Sequence, residues 1–317
     1  MHDGEVGAAR QEKQEARPGA PPKNLRVGTS GWGYPEWVGP FYPEGLPRER
    51  WLAYYASAFS TNEVNTTFYH LPRRSTVESW ARRTPRRFTF SLKLPKALTH
   101  EAKLDAGEAP RLLDQFLKVT SPLVESGKCV AHLLQLPPSF EKDEHWGRLD
   151  AFLKAWRELV DASSPPGQAP ALAVEFRNLS WVNDETFDLL REGGACYVVV
   201  VEPLLPPVTP VTGRDAYVRF HGFGKNPWFN YEFSSEELDD WVPKIRALAG
   251  VVESGGGSVN VYFNNHFSGY AVKNALQLLG KFGAPIGKAF PPRARRRTKS
   301  LSAFLKKGGE GGRNGGE

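Results

Sequence analysis

The chain has 317 residues, and its 40% hydrophobic and 24% charged residues are those of a folded globular protein, not a fibrous or disordered one. No apolar run is long enough to span a bilayer, and the polar start lacks the apolar core of a secretory signal, so no membrane partner is expected. The formal net charge of +6 is concentrated at residues 291–317, where eight basic residues face two acidic ones; the rest of the chain is formally neutral and predicts no broad basic groove.

Residues 1–23 mix charges with Pro18, Pro21 and Pro22 and are expected to be disordered. Leu25–Thr29 reads as a strand, followed by the loop Ser30-Gly-Trp-Gly-Tyr34. Residues 47–59 put Trp51, Leu52, Tyr55 and Phe59 on one helical stripe, with Pro47 at its start. The second strand, 61–65, carries Glu63 and Asn65 on one face. Ser75-x-x-Glu78 has the form of a capping box and predicts a helix that stops before Pro85. Residues 88–94 form the third strand, and the loop after it holds His100. A helix is expected over 112–119, continuing to Glu125 after a break at Pro122.

The fourth strand, 129–136, is closed by Pro137-Pro138, and Trp146, Leu149, Phe152, Leu153, Trp156 and Leu159 form the next helical stripe. Residues 172–176 make a fifth strand with Glu175 near its end and Arg177 just beyond. A helix starts at Asn183-Asp184-Glu185 and ends at Gly193-Gly194. Cys196–Val201 is the sixth strand. Pro203, Pro206, Pro207 and Pro210 then replace a helix with a Pro-rich loop. Strand seven is 217–221, Ser234-x-x-Glu237 is a second capping box, and Val259–Phe263 is strand eight, followed by a last helix at 270–279. Eight strands, most alternating with helices, predict an α/β fold: a single (β/α)8 barrel of the TIM type over residues 24–290, flanked by the segments 1–23 and 291–317. A doubly wound open sheet is the competing arrangement.

In such a barrel the carboxyl ends of the strands share one mouth. The polar residues there are Ser30, Glu63, Asn65, Lys93, Gln135, Glu175, Arg177, Glu202, Arg219, His221, Asn264, Asn265 and His266. Glu175 and His221 are candidates for acid–base work, the Glu175 carboxyl being raised if Glu63 crowds it. Lys93 is a candidate amine nucleophile or electrostatic clamp. A structural ion network filling the barrel is the plain alternative. Trp32, Tyr69, Trp181 and Trp228 add flat faces of the kind that hold sugars or unstacked bases, although packing under the loops would explain them equally. Glu175, Glu202, His221 and His266 leave a divalent metal open, but no H-x-x-x-H or C-x-x-C spacing favours one. Gly28-x-x-Gly31-x-Gly33 is not the dinucleotide spacing, so no nucleotide cofactor is indicated. Cys129 and Cys196 read as buried free thiols in a reducing, cytoplasmic compartment.

Several segments together resemble one family. They include Gly28-Thr-Ser-Gly-Trp-Gly-Tyr34, Glu63-Val-Asn-Thr-Thr-Phe-Tyr69, Lys93-x-Pro95, Leu134-Gln-Leu-Pro-Pro-Ser-Phe140, Val174-Glu-Phe-Arg177, Val218-Arg-Phe-His-Gly222 and Tyr262-Phe-Asn-Asn265. The resemblance is to the YecE-like family of bacterial and archaeal proteins and runs from about residue 25 to 279. It implies a TIM-type barrel and no particular reaction. The chain departs from the family after His221. It reads Gly-Phe-Gly-Lys-Asn226 where the family more often has Gly-Arg-Asn directly, which leaves open whether Lys225 replaces that arginine.

The leading expectation is an enzyme, of hydrolase, lyase or isomerase type, acting on a small polar ligand, anionic or polyhydroxylated, at the mouth. Glu175, His221, Lys93 and Glu63 would carry the chemistry. Asn65, Arg177, Arg219, Gln135, Asn264 and Asn265, with Trp32, Tyr69, Trp181 and Trp228, would hold the ligand. The alternatives are a nucleic-acid binding or processing protein that uses its basic tail for weak contact, and a barrel scaffold without catalysis.

Overall fold

The computed structural model describes residues 20–284. The expected tail at 291–317 and the expected barrel end at 290 lie outside the described residues, as do residues 1–19. Eight parallel strands, β1 (Leu25–Thr29), β2 (Thr61–Val64), β3 (Thr89–Lys93), β4 (Cys129–Gln135), β5 (Ala171–Glu175), β6 (Cys196–Val201), β7 (Ala216–Phe220) and β8 (Val259–Phe263), pair in sequence order, and β8 returns to β1. A bridge between Ser30 and Glu63, with Gly31 N donating to Glu63 O at 2.7 Å, links β1 to β2 and brings the sheet round to a nearly closed barrel. Gly28 is needed at this seam: a Cβ there would lie 2.3 Å from Thr61 O, so a side chain would push the two strands apart.

Helices fill most connections: α1 (Arg48–Ala58), α2 (Thr66–Tyr69), α3 (Arg74–Arg82), α4 (Ala109–Glu125), α5 (Lys142–Ser163), α6 (Asp184–Glu192), α7 (Ser235–Glu253) and α8 (Tyr270–Lys281). Among the described residues, none lies between β6 and β7, where the prolines cluster. The fold is thus the single TIM-type barrel that the alternation of strands and helices predicts.

Strand alternation separates two cores. Outward residues such as Phe90, Leu134, Val174, Val199, Phe220 and Val261 bury against helix residues such as Leu52, Phe116, Leu149, Leu190 and Ile245. Each fully buried side chain of this size contributes about 1.5–3 kcal/mol. Inward residues Ala131, Leu133, Ala173, Val198, Val200, Tyr217 and Tyr262 form a smaller cluster inside the barrel. The same inward faces carry Glu63, Glu175, Arg219 and His221 toward the carboxyl ends, so register alone stacks an apolar floor beneath a polar mouth.

Two local expectations are corrected. Ser234 and Glu237 form both bonds of a capping box, but Ser75 and Glu78 do not. Helix α3 starts at Arg74, so Ser75 already lies inside its first turn. Glu78 instead pairs with Arg74 at 3.5 Å. Arg74 also explains the second correction. Helix α4 runs through Pro122 without a break, although that proline leaves Lys118 O without its helical donor. Arg74 Nη1 supplies the missing donor to Lys118 O at 2.9 Å and bonds Ser121 Oγ at 2.7 Å. A neighbouring helix thus repairs what the local sequence would interrupt.

Candidate functional site

A cavity of about 660 Å³ opens at the carboxyl ends of the strands. Its floor is a chain of buried ions. Glu63 accepts from Arg219 Nη2 at 2.7 Å, from Tyr217 Oη at 2.6 Å and from Ser30 Oγ at 2.6 Å. Arg219 Nη1 donates to Glu175 at 2.5 Å, and Arg177 Nε donates to the other Glu175 oxygen at 2.5 Å. Arg177 Nη1 pairs with Glu202. These contacts tie β2, β5, β6 and β7 together through charged groups that water barely reaches. Removing one partner of such a pair is costly because the other stays buried and unmatched.

Burial works to raise the Glu175 carboxyl, but Arg177 and Arg219 outweigh it and hold the group well below the usual carboxylate range. The expected crowding by Glu63 does not operate, because Arg219 stands between the two carboxylates and bonds both. Glu175 and Glu63 are fully buried and lie beneath the cavity instead of lining it, so neither offers a free lone pair to a ligand. Both were expected to carry chemistry, Glu175 as an acid–base group, but neither side chain lines the cavity.

His221 lines the cavity and is held neutral. Burial, and then Arg177 and Arg219 beside it, push the imidazole down to about 3. Arg177 Nη2 lies 2.9 Å from Nε2 and can only donate, so Nε2 is the acceptor and the ring proton sits on Nδ1. The Asn264 amide is 3.0 Å from Nδ1 and completes the bond when its oxygen faces the ring. A neutral histidine with both nitrogens occupied orients its neighbours; it is a weak base for a ligand.

Lys93 differs from the rest. It ends β3, lines the cavity, and among the described residues its Nζ has no hydrogen bond or ion pair. Its Nζ lies over the face of Phe68, 3.9 Å from the ring centre. Burial, reinforced by Arg219, lowers the amine from its ordinary 10.5 to about 7 despite the opposing pull of Glu175 and Glu63. Asn65 and Gln135 also face the cavity. Gln135 Nε2 bonds Leu136 O, and the Asn65 amide meets that of Asn264 at 3.4 Å, its oxygen toward Asn264 when the Asn264 oxygen faces His221.

Much of the remaining lining is aromatic: Trp32, Tyr34, Tyr69, Trp80, Trp228 and Phe229. Trp32 meets Trp80 edge-on at 5.7 Å, and His266 stacks on Tyr34 at 4.5 Å. Gly222, at φ 111°, permits the turn that brings Trp228 over the mouth; a Cβ there would lie 2.8 Å from Trp228 O. Lys225 in that turn does not line the cavity.

The structure therefore brings Lys93, Asn65, Gln135, Arg177, Arg219, His221, Asn264, Trp32, Tyr69 and Trp228 to one cavity. Two expected ligand residues fall elsewhere. Trp181 is buried, donates its Nε1 hydrogen to Phe140 O at 2.6 Å and stacks on Phe176 at 4.8 Å. Phe176 faces outward by alternation, and the loop after it folds onto the outer core. Asn265 turns away from Asn264 for the same reason; its Nδ2 bonds Tyr231 O and Asn274 Oδ1, fixing the β8 loop. Sequence reasoning missed Thr66, Phe229 and Trp80 as cavity residues. Trp80 sits on an apolar helix stripe, which gives no sign of a cavity. Among the described residues, no group of three or more His, Cys, Asp or Glu side chains is arranged to hold a metal ion. Glu175 and Glu202 face guanidiniums, and His266 faces Tyr34 and Glu36.

A single parallel barrel with a cavity of polar and aromatic side chains at its carboxyl mouth defines a TIM-barrel protein. The chain belongs to the family described as "Protein of unknown function DUF72", whose pattern matches residues 26–298. It is 28% identical over 284 residues to UPF0759 protein YunF of Bacillus subtilis, covering 80% of this chain and 93% of that protein. It is 33% identical to YecE of Escherichia coli over 144 residues, 44% of this chain and 49% of YecE. A DUF72 family protein of Thermotoga maritima has a similar crystal structure, with 33% identity, a TM-score of 0.70, and 82% of this chain and 99% of that one covered. A DUF72 protein of Enterococcus faecalis, at 21% identity and TM-score 0.68 over 85% of this chain and 99% of that one, shares the fold.

Proposed function

We propose that this chain is an enzyme that carries out acid–base chemistry on a small polar ligand, anionic or polyhydroxylated, at the barrel mouth. The observation that carries the reading is Lys93. It is the one charged side chain lining the cavity that has no hydrogen bond or ion pair among the described residues, and it titrates at about 7. An amine poised there gives up and takes back a proton at neutral pH. The guanidiniums of Arg177 and Arg219 face the ligand from the floor, with their carboxylate partners beneath them. Asn65, Gln135 and Asn264 supply amide hydrogen bonds, and Trp32, Tyr69 and Trp228 give the flat faces that sugar rings or acyl chains pack on.

The two buried free cysteines suit a reducing, cytoplasmic compartment. No helix among the described residues is long and apolar enough to cross a membrane. The test is calorimetric binding of sugar phosphates, sugar acids, oxo acids and neutral sugars, followed by a search for turnover by NMR. Binding that weakens in Lys93→Met and in Trp228→Ala supports the reading. Absence of binding, or binding indifferent to both changes, overturns it.

A further inference from the structure

The same cavity allows the substrate class to be narrowed, on the reading that a small anionic ligand binds at the mouth. We propose that the ligand carries an aldehyde or ketone beside its anionic group, and that Lys93 Nζ condenses with that carbonyl to form a Schiff base.

Three observations carry this. The amine is at the cavity surface over the Phe68 ring and, among the described residues, has no hydrogen bond or ion pair that must break before nitrogen attacks carbon. Every other charged group of the cluster is engaged: Glu63 and Glu175 with Arg219, Glu175 and Glu202 with Arg177. Those three carboxylates against two guanidiniums leave one formal negative charge close to Lys93. A cation at that nitrogen is matched, although the free ammonium is held back by burial and by Arg219. The amides of Asn65 and Asn264, which meet at 3.4 Å on the cavity wall, can bond a hydroxyl that forms as the carbonyl is attacked.

The step balances without another reactant. The neutral amine's lone pair forms the C–N bond, and the carbonyl oxygen takes a proton as nitrogen loses one, giving a carbinolamine. The C–O bond then breaks, the hydroxyl leaves with a second proton as water, and nitrogen keeps the double bond. Protonation of that imine from solvent gives the iminium, the cation that the one surplus negative charge of the cluster matches.

The test uses the full chain near neutral pH with glyoxylate, pyruvate or glyceraldehyde 3-phosphate, each with sodium cyanoborohydride, read by intact mass and peptide mapping. Calorimetry of glycerol 3-phosphate and lactate, which are anionic but carry no carbonyl, runs in parallel. The expected result is an adduct on Lys93 far above that on surface lysines such as Lys225. It should be competed by glycerol 3-phosphate or lactate and be absent in Lys93→Arg. A Lys93→Met variant serves if the arginine does not fold. If the carbonyl-free anions bind and Lys93 is labelled no more than Lys225, the Schiff base is refuted and the anion site stands. If they do not bind and Lys93 is not selectively labelled, both fall.

Discussion

Lys93→Met should stabilise the protein while it weakens ligand binding. The unfolded chain holds this amine at its ordinary 10.5, and the fold lowers it to about 7. At pH 7 the difference amounts to about 4 kcal/mol against the native state, at about 1.4 kcal/mol for each tenfold change in proton affinity. Cavity water reaches part of the side chain, and the contact with Phe68 contributes roughly 1 kcal/mol that methionine recovers only in part, so a net gain of about 2–3 kcal/mol is expected. For a chain of this size that is roughly 3–5 °C in melting temperature. The pH dependence fixes the cause. Between pH 7 and 10.5 the unfolded chain binds more protons at this site than the native one, so wild-type stability at this site rises with pH. The advantage of methionine should therefore be largest at pH 7 and below and shrink toward pH 10. Melts of both proteins at pH 7, 8, 9 and 10 measure it. A methionine variant that is less stable than wild type, or whose advantage does not change with pH, would show that the lysine is part of the structural network and refute the reasoning.

Glu175→Gln should have the opposite effect and cost about 3–5 kcal/mol, because it leaves Arg177 and Arg219 buried beside a neutral amide; a melt within error of wild type would sink the network description. Acid should destabilise early. His132 and His221 are both held at about 3, by burial and, for His221, also by the two arginines, so the unfolded chain takes up more protons from pH 6.5 downward and stability is lost across that range. His132→Leu removes one of these groups, and its melting temperature should fall less steeply between pH 6.5 and 4 than that of wild type; parallel slopes would contradict the assignment. Deleting residues 291–317 removes a net charge of +6 and should leave little salt-dependent nucleic-acid binding, with the melting temperature of the body nearly unchanged. Undiminished, salt-dependent binding by the shortened chain would point to the mouth itself as a nucleic-acid site.

The architecture was legible because it rests on local patterns. Period-two apolar runs ending in polar residues, alternating with period-3.6 stripes, leave few arrangements open, and the prolines after β6 marked the missing helix. The face shared by Glu175 and Arg177, and by Arg219 and His221, followed from alternation alone. Alternation could also have excluded Asn265 once Asn264 was placed inward. What the sequence could not reveal was pairing across the barrel. Whether Glu175 met Glu63 or a guanidinium depended on residues 112 positions apart or only 44, and Arg219 settled it by bonding both carboxylates. That contact changed Glu175 from a candidate base into a buried counter-ion. The same holds for Trp181 and Trp80. One followed a promising strand end yet packs in the outer core, and the other sat on an apolar helix stripe yet lines the cavity. Lys93 stands apart for the complementary reason: every carboxylate that could have paired with it is already held by an arginine, and only the closed barrel decides which cation is left over.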